Sequence, residues 1–344
     1  MKTTILYLGL LTFLFISCTD SSSSDPDGSD GTALYAYITD GTDFKVIDIA
    51  TPNAPAFLGS TPMPTGYFVS VSPDIAYVAQ YDATAPYVNF VNISTPNNPN
   101  SSASIAKNNT LAFSLLSDMY TLQDISYLTD TYRGIHVVDI AGTNFTSQLN
   151  MGGDAMSVTK INNTLFVIDQ TNGLHSYDVT SPGTPVATTV SNTTDVDTAS
   201  YPDAPFGQHH SWVENDGTYI YVANSIDKKL KKFDATTLVL IDEYNYEGYA
   251  TALAIKNGFA FITCKNSANA PLQNGFDGIR MIELSTMTMA DFKVLSRTSG
   301  VALQGDYAYV TDADGLHVYN ISSGDLTNTA TLATGFGNFI ALGE

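Results

Sequence analysis

The chain has 344 residues, 44% of them hydrophobic and only 14% charged, against roughly 25% charged in an average soluble protein. Acids outnumber bases 34 to 14, a net charge of −20; such a surface repels phosphate backbones and excludes nucleic acid as a partner. Length alone suggests two domains of roughly 150 residues, a prior that gives way where a chain is built from repeats.

The N-terminus reads MKTTILYLGLLTFLFISC, one Lys and then an apolar run through Ile16. The run is short for a membrane span and has the layout of a secretory signal. Phe15-Ile16-Ser17-Cys18 resembles a bacterial lipobox, although Phe15 stands where Leu is usual. The resemblance implies a signal peptide over 1–17 and an acylated Cys18; the alternative is an ordinary cleaved signal ending near a Cys. Residues 18–32 form a polar, acidic, Ser- and Gly-rich tether with no core-forming residue. An acidic stretch behind such a Cys resembles the export signal of Gram-negative surface lipoproteins, which predicts an outer-membrane lipoprotein on the extracellular or periplasmic side. Asp25 to Asp30 hint at a calcium loop, but an EF-hand starting at Asp25 would need Glu where the chain has Ala36. The stretch reads as a linker.

From residue 33 one unit recurs seven times. An aromatic-rich strand comes first: YAYITD (35–40), IAYVAQ (75–80), ISYLTD (125–130), LFVID (165–169), YIYVAN (219–224), FAFITC (259–264) and YAYVTD (307–312). A second strand ends on Asp48, Asn92, Asp139, Asp178, Asp234, Glu283 or Asn320. Successive anchors lie from 37 (Glu283 to Asn320) to 56 (Asp178 to Asp234) residues apart, about 45 on average. Period-two alternation within each strand excludes helix, and a repeat of roughly 40–50 residues made of short strands reads as propeller blades. The turns DIATPNAP (48–55), NISTPNNP (92–99) and DVTSPGTP (178–185) combine a Pro-fixed φ with an Asp or Asn placed to close an Asx-turn. FKVIDIATPNAP resembles the LVIVD repeat of bacterial β-propeller lipoproteins; the resemblance implies a propeller and no particular reaction.

Each unit also holds an inner strand ahead of the aromatic one, as in SGVALQGDYAYV (299–310), except unit 1, where the polar tether precedes Ala33. FGNFIALGE (336–344) matches that inner strand and then stops. The sequence therefore predicts an all-β, seven-bladed propeller over 33–344, its ring closed by the C-terminal strand joining the first blade. Closure removes open sheet edges.

Numbering a blade's strands from the axis outward, the second-to-third and outer-to-inner connections emerge on one face, called here the loop face. The long insertions 81–87, 191–208 and 265–278 all belong to it, and loops of that length are usually functional. The sequence points to Tyr201, Asp203, Phe206, His209 and His210 as candidate ligand-binding residues there. His210, Trp212 and Glu214 alternate with His209 and Val213, so the adjacent His side chains diverge and do not share a metal. The plainer reading has Trp212 filling an inter-blade core and one His bonding a loop carbonyl. His136, His175 and His317 share one strand position on different blades and cannot converge on a zinc. Asp40, Asp130, Asp169, Asn224 and Asp312 form a second column, read as turn capping; the alternative is a ring of acids holding Ca²⁺ at the mouth, the one cofactor the pattern suggests. Gln80 and Cys264 interrupt that column, and Cys264 reads as a buried, inert thiol.

No G-x-S-x-G, P-loop, H-E-x-x-H or G-x-G-x-x-G occurs. The single Trp excludes repeated W-D dipeptides and repeated Trp-bearing sialidase boxes. The expectation is a monomeric binding or interaction module for an envelope ligand or protein, a glycan or peptide, held to the membrane only by its lipid, with no catalytic residue assigned. The alternative is an envelope hydrolase or lyase using His209 or His210 beside Asp203 or Glu214.

Overall fold

The computed structural model describes residues 35–80, 88–105, 116–122, 124–131, 133–140, 144–151, 154–169, 172–190, 211–225, 227–265, 277–335 and 337–343. Within them run twenty-eight strands, β1 to β28, grouped as seven four-stranded antiparallel sheets. Blade 1 pairs β28 (Phe339–Gly343) with β1 (Tyr35–Thr39), β2 (Asp43–Asp48) and β3 (Ala56–Pro62). The closing register runs from Tyr35 opposite Gly343 to Thr39 opposite Phe339. The expected closure is therefore present, and the chain's last strand is the innermost strand of its first blade. Blades 2 to 7 follow in sequence, with inner strands β4 (Gly66–Val71), β8 (Leu116–Leu122), β12 (Ala155–Ile161), β16 (Ser211–Asn215), β20 (Tyr249–Lys256) and β24 (Gly300–Gln304). Each inner strand packs beside the next and β24 returns to β28, so the ring has no gap.

The aromatic repeat explains why the blades stack. Tyr37, Tyr77, Tyr127, Phe166, Tyr221, Phe261 and Tyr309 are each the third residue of a second strand, and all are buried. Alternation sends neighbouring side chains to opposite blades. In blade 5, Ile220 and Val222 join Phe166 and Ile168 of blade 4, whereas Tyr221 and Ala223 join Leu253 and Ile262 of blade 6. Burying one such side chain contributes about 1.5–3 kcal/mol. A buried Tyr hydroxyl also needs a partner; Tyr127 donates to the carbonyl of Pro182 in the next blade's Pro-x-x-Pro turn at 2.9 Å.

The three predicted Asx-turns are formed, and Asn320 adds a fourth. Asp48 Oδ1 accepts from Ala50 N, Asn92 Oδ1 from Ser94 N, Asp178 Oδ1 from Thr180 N and Asn320 Oδ1 from Ser322 N, all at 2.8–3.1 Å. Beyond that turn, every blade shifts register between its third and outer strands at one equivalent place, Val46/Ile47 in blade 1 and Val318/Tyr319 in blade 7. A bulge adds twist, and seven copies at one radius splay the outer strands evenly around the ring.

Candidate functional site

On the loop face the two polar columns of the sequence turn out to be one feature. The Asp ending a second strand faces the polar residue near the start of the third strand in the same blade. Asp40 meets Lys45 at 2.6 Å, Asp130 meets His136 at 2.9 Å and Asp312 meets His317 at 3.0 Å, while Asp169 and His175 are 4.0 Å apart. The carboxylates divide their labour. Oδ1 of Asp40 accepts from the amides of Thr42 and Asp43, and Oδ1 of Asp312 from those of Asp314 and Gly315, while Oδ2 takes the Lys or His. Capping is thus observed at Asp40, Asp169 and Asp312. Among the described residues no group of three His, Cys, Asp or Glu is placed to hold a metal ion.

The remaining blades fill the same corner with other chemistry. In blade 5 the partner of Lys231 is Asp227, at 2.6 Å. In blade 6 Cys264 and Arg280 take the two positions; burial pushes the Cys264 thiol up to about 12, against the pull of Arg280. That thiol is free, buried and inert, as the sequence suggested. In blade 2 the amides of Gln80 and Asn89 both donate to the sulfur of Met63, at 3.4 and 3.3 Å. Gly134, Gly173 and Gly278 open the third strand at three of these corners, and Gly315 directly precedes it at a fourth, all with positive φ. At Gly315, with φ 143°, a Cβ would run into the carbonyl of Leu332 on the outer strand.

The axis beneath this face is closed by aromatic rings. Trp212 of blade 5 lies 6.3 Å from Phe68 of blade 2 and 5.7 Å from Phe339 of blade 1, centroid to centroid. Phe68 and Phe339 are 4.3 Å apart, and Tyr67 joins at 5.7 Å from Phe339. Two blades separate blade 5 from blade 2 on one side and from blade 1 on the other, so these contacts cross the centre. Trp212 also belongs to the buried cluster that holds Tyr221 and Ala223 of blade 5 and Ala250 and Leu253 of blade 6, as expected of an inter-blade residue, and its ring contacts across the axis add to that packing. Its Nε1 donates to the carbonyl of Ala250 of blade 6 at 3.3 Å, while its ring meets those of Phe68 and Phe339. Val213 points the other way, toward blade 4, as alternation requires.

Farther down the wall runs a polar seam. Asp118 Oδ2 accepts from Ser157 Oγ at 2.6 Å and from the Val158 amide at 3.1 Å, and Ser157 Oγ accepts from Val213 N. Burial lifts the Asp118 carboxyl to about 6 against the hydrogen bonds from Ser157, Met119 and Val158. Glu214, expected beside Trp212, instead accepts from Thr159 of blade 4 at 3.3 Å. Asp118 and the Phe68–Phe339 pair escape a sequence reading because inner strands are the least regular part of the repeat; the bulge at Leu116/Asp118 that displaces Asp118 is absent from blades 1, 5 and 7. Tyr201, Asp203, Phe206, His209 and His210 lie outside the described residues, as do Cys18, the segments 1–17 and 18–32, and the insertions 81–87 and 191–208. The strands flanking 191–208 do end on the loop face: β15 (Val186–Val190) is an outer strand and β16 an inner one.

The LVIVD repeat matches residues 34–61 and 297–324, covering β1 to most of β3 in blade 1 and the inner three strands of blade 7. No curated protein matches the sequence. Solved structures similar in fold include apo AztD from Citrobacter koseri, at 12% identity and a TM-score of 0.62 over 92% of this chain and 99% of that one. A Bacteroides fragilis protein provisionally assigned as a 6-phosphogluconolactonase gives 11%, 0.67, 93% and 100%. The computationally designed Ika8 protein gives 12%, 0.60, 94% and 96%. Identities this low speak to fold and not to function. Seven closed blades make this chain a β-propeller, and two of its units match the LVIVD repeat.

Proposed function

We propose that this propeller is a lipid-anchored binding or interaction module of the cell envelope and that its loop face takes the ligand. The observation that carries this is the aromatic floor of Trp212, Phe68, Phe339 and Tyr67, which closes the axis on the face where the long insertions 81–87, 191–208 and 265–278 arise. A blocked channel turns that mouth into a shallow platform, and rigid rings under variable loops suit a glycan or a peptide. Tyr201, Asp203, Phe206, His209 and His210 precede in sequence the strand that supplies Trp212, and they are the residues proposed to contact it. The anchor is Cys18, the place is the outer membrane, and the protein works as a monomer.

Two experiments test this. The Cys18→Ala protein is expected to leave the membrane fraction; if it stays there, the anchor is wrong. Envelope glycans, peptides and divalent metals, Ca²⁺ included, are screened for a melting shift against wild type and a variant lacking 194–206. Equal shifts in both proteins would remove that insertion from the site. A second reading, an envelope hydrolase or lyase, has one observation behind it: the Asp118 carboxyl, lifted to about 6, titrates in the range of a general base. Turnover of glycan or ester substrates that survives Asp118→Asn would remove it.

A further inference from the structure

The dipeptide Asn-Gly occurs three times, at 172–173, 257–258 and 274–275, the last outside the described residues. The other two sit in unlike surroundings. Asn257 and Gly258 make up the whole turn between the inner strand β20 and the second strand of blade 6, β21 (Phe259–Lys265), where Lys256 faces Phe259 across the hairpin. Their φ values of 53° and 79° are both left-handed, as a tight hairpin turn of this kind requires. Both residues are exposed, on the face away from the long insertions. Among the described residues neither the Asn257 side-chain amide nor the Gly258 N–H has a hydrogen-bond partner, while the Gly258 carbonyl accepts from the Leu284 amide at 2.9 Å. The space around the turn is open: a Cβ on Gly258 would meet nothing within 4 Å.

Two turns in blade 4 isolate what matters at this one. Asn162 and Asn163 form the equivalent two-residue turn, with Ile161 facing Thr164 and Val179 N donating to Asn163 O at 2.8 Å. Both residues are exposed and Asn162 has a φ of 50°, but the residue after it carries a side chain. At Asn172 the Gly is kept and the freedom is lost. The Asn172 side-chain amide donates to the Met151 carbonyl and to Asp169 Oδ2, both at 3.2 Å. Its backbone N–H donates to Asp169 Oδ1 at 2.9 Å, and Gly173 stands in the ladder opposite Asp169. Of these three, Asn257 alone combines an unrestrained amide with a following residue that has no Cβ to crowd its nitrogen.

We propose that Asn257 is a site of spontaneous deamidation, converting to isoaspartate and aspartate through a cyclic imide closed by the Gly258 nitrogen. That nitrogen gives up its proton and bonds to Cγ of Asn257. The bond from Cγ to the side-chain nitrogen breaks, and ammonia leaves. Water then opens the imide at either of its two carbonyls, one opening giving aspartate and the other isoaspartate. Water is the sole co-reactant, and nothing is oxidised or reduced. Isoaspartate routes the main chain through the former side-chain carbon and lengthens a turn whose fit to the strand twist depends on its having two ordinary residues. Either product places a new negative charge next to Lys256, at the rear end of the inner strand of blade 6.

The test incubates the folded full-length protein in warm, mildly alkaline buffer, with a second sample held unfolded in guanidinium chloride. Mass spectrometry follows the peptides that hold Asn257, Asn162 and Asn172. In the folded protein the Asn257 peptide is expected to exchange its amide for a hydroxyl roughly tenfold faster or more than the Asn172 peptide, whose hydrogen bonds must open first. It is also expected to outrun the Asn162 peptide and to split into two products of equal mass, isoaspartate and aspartate. Unfolded, Asn172 is expected to catch up with Asn257 while Asn162 stays behind, which separates the hold of the fold from the effect of the next residue. Asn257→Gln is expected to abolish conversion at that peptide and leave the other two unchanged. Conversion of Asn257 no faster than that of Asn172 in the folded protein, or a product that is aspartate alone, overturns the site.

Discussion

Blades 3 and 2 build the same corner from opposite materials. In blade 3 the carboxylate of Asp130 meets the imidazole of His136, both with no exposed side-chain surface. In blade 2 two neutral amides, Gln80 and Asn89, turn to the thioether of Met63, and Gln80 also donates to the carbonyl of Pro64 at 2.7 Å. The backbone path of second and third strand is the same in both. What the two corners share is a pair of buried polar side chains that meet each other or a common partner. An acid with an imidazole is one way of filling the corner, and two neutral amides are another.

The comparison can be broken most directly at Asp130. Asp130→Ala leaves the His136 ring buried without its acid and is expected to cost about 3–5 kcal/mol, read as a drop in melting temperature. Asp130→Asn imports the blade 2 solution and is expected to recover more than half of that loss; an Asn variant as unstable as the Ala variant would mean that the charge itself is required. Next in size is Gly315→Ala, where the strained φ and the carbonyl of Leu332 together predict a loss of about 3 kcal/mol.

A smaller effect separates the charged corners from the neutral one in acid. Burial pushes the Asp312 carboxyl up, but the hydrogen bond and charge of His317, with the amides of Asp314 and Gly315, bring it below the ordinary Asp value. A carboxyl depressed in the folded state contributes its stability in full above the unfolded value of about 3.9, and loses it as pH falls through the folded value. Asp312→Asn is therefore expected to be less stable than wild type at neutral pH and to show a flatter decline below about pH 4, followed by chemical denaturation at each pH. Gln80→Leu should cost least, about 1 kcal/mol, with a pH profile parallel to wild type.

How much of this was legible follows from how far apart in sequence the partners stand. The seven units, the closing strand and the Asx-turns depend on residues within one unit, and the repeats spell them out. The two polar columns were each visible, yet their pairing was not, because Asp130 and His136 face one another only once the hairpin register is fixed. The spacing from the Asp across a Gly to a His or Lys, as in DTYRGIH (130–136) and DADGLH (312–317), was the available signal. Trp212 was harder. Alternation correctly set it apart from Val213, but nothing local to residue 212 reveals that Phe68 and Phe339 reach it from across the ring. The five candidate ligand residues lie outside the described structure and stay as the sequence left them.

The closing strand has one further consequence. Because Tyr35 pairs with Gly343, both described ends of the chain lie where β1 begins and β28 finishes, on the side away from the insertions. A lipid on Cys18 would thus pull on the propeller from behind. Fully extended, a stretch the length of Cys18 to Leu34 reaches at most about 60 Å. An anchor at the proposed Cys18 would therefore hold the molecule by its rear and leave its aromatic platform facing away from the lipid.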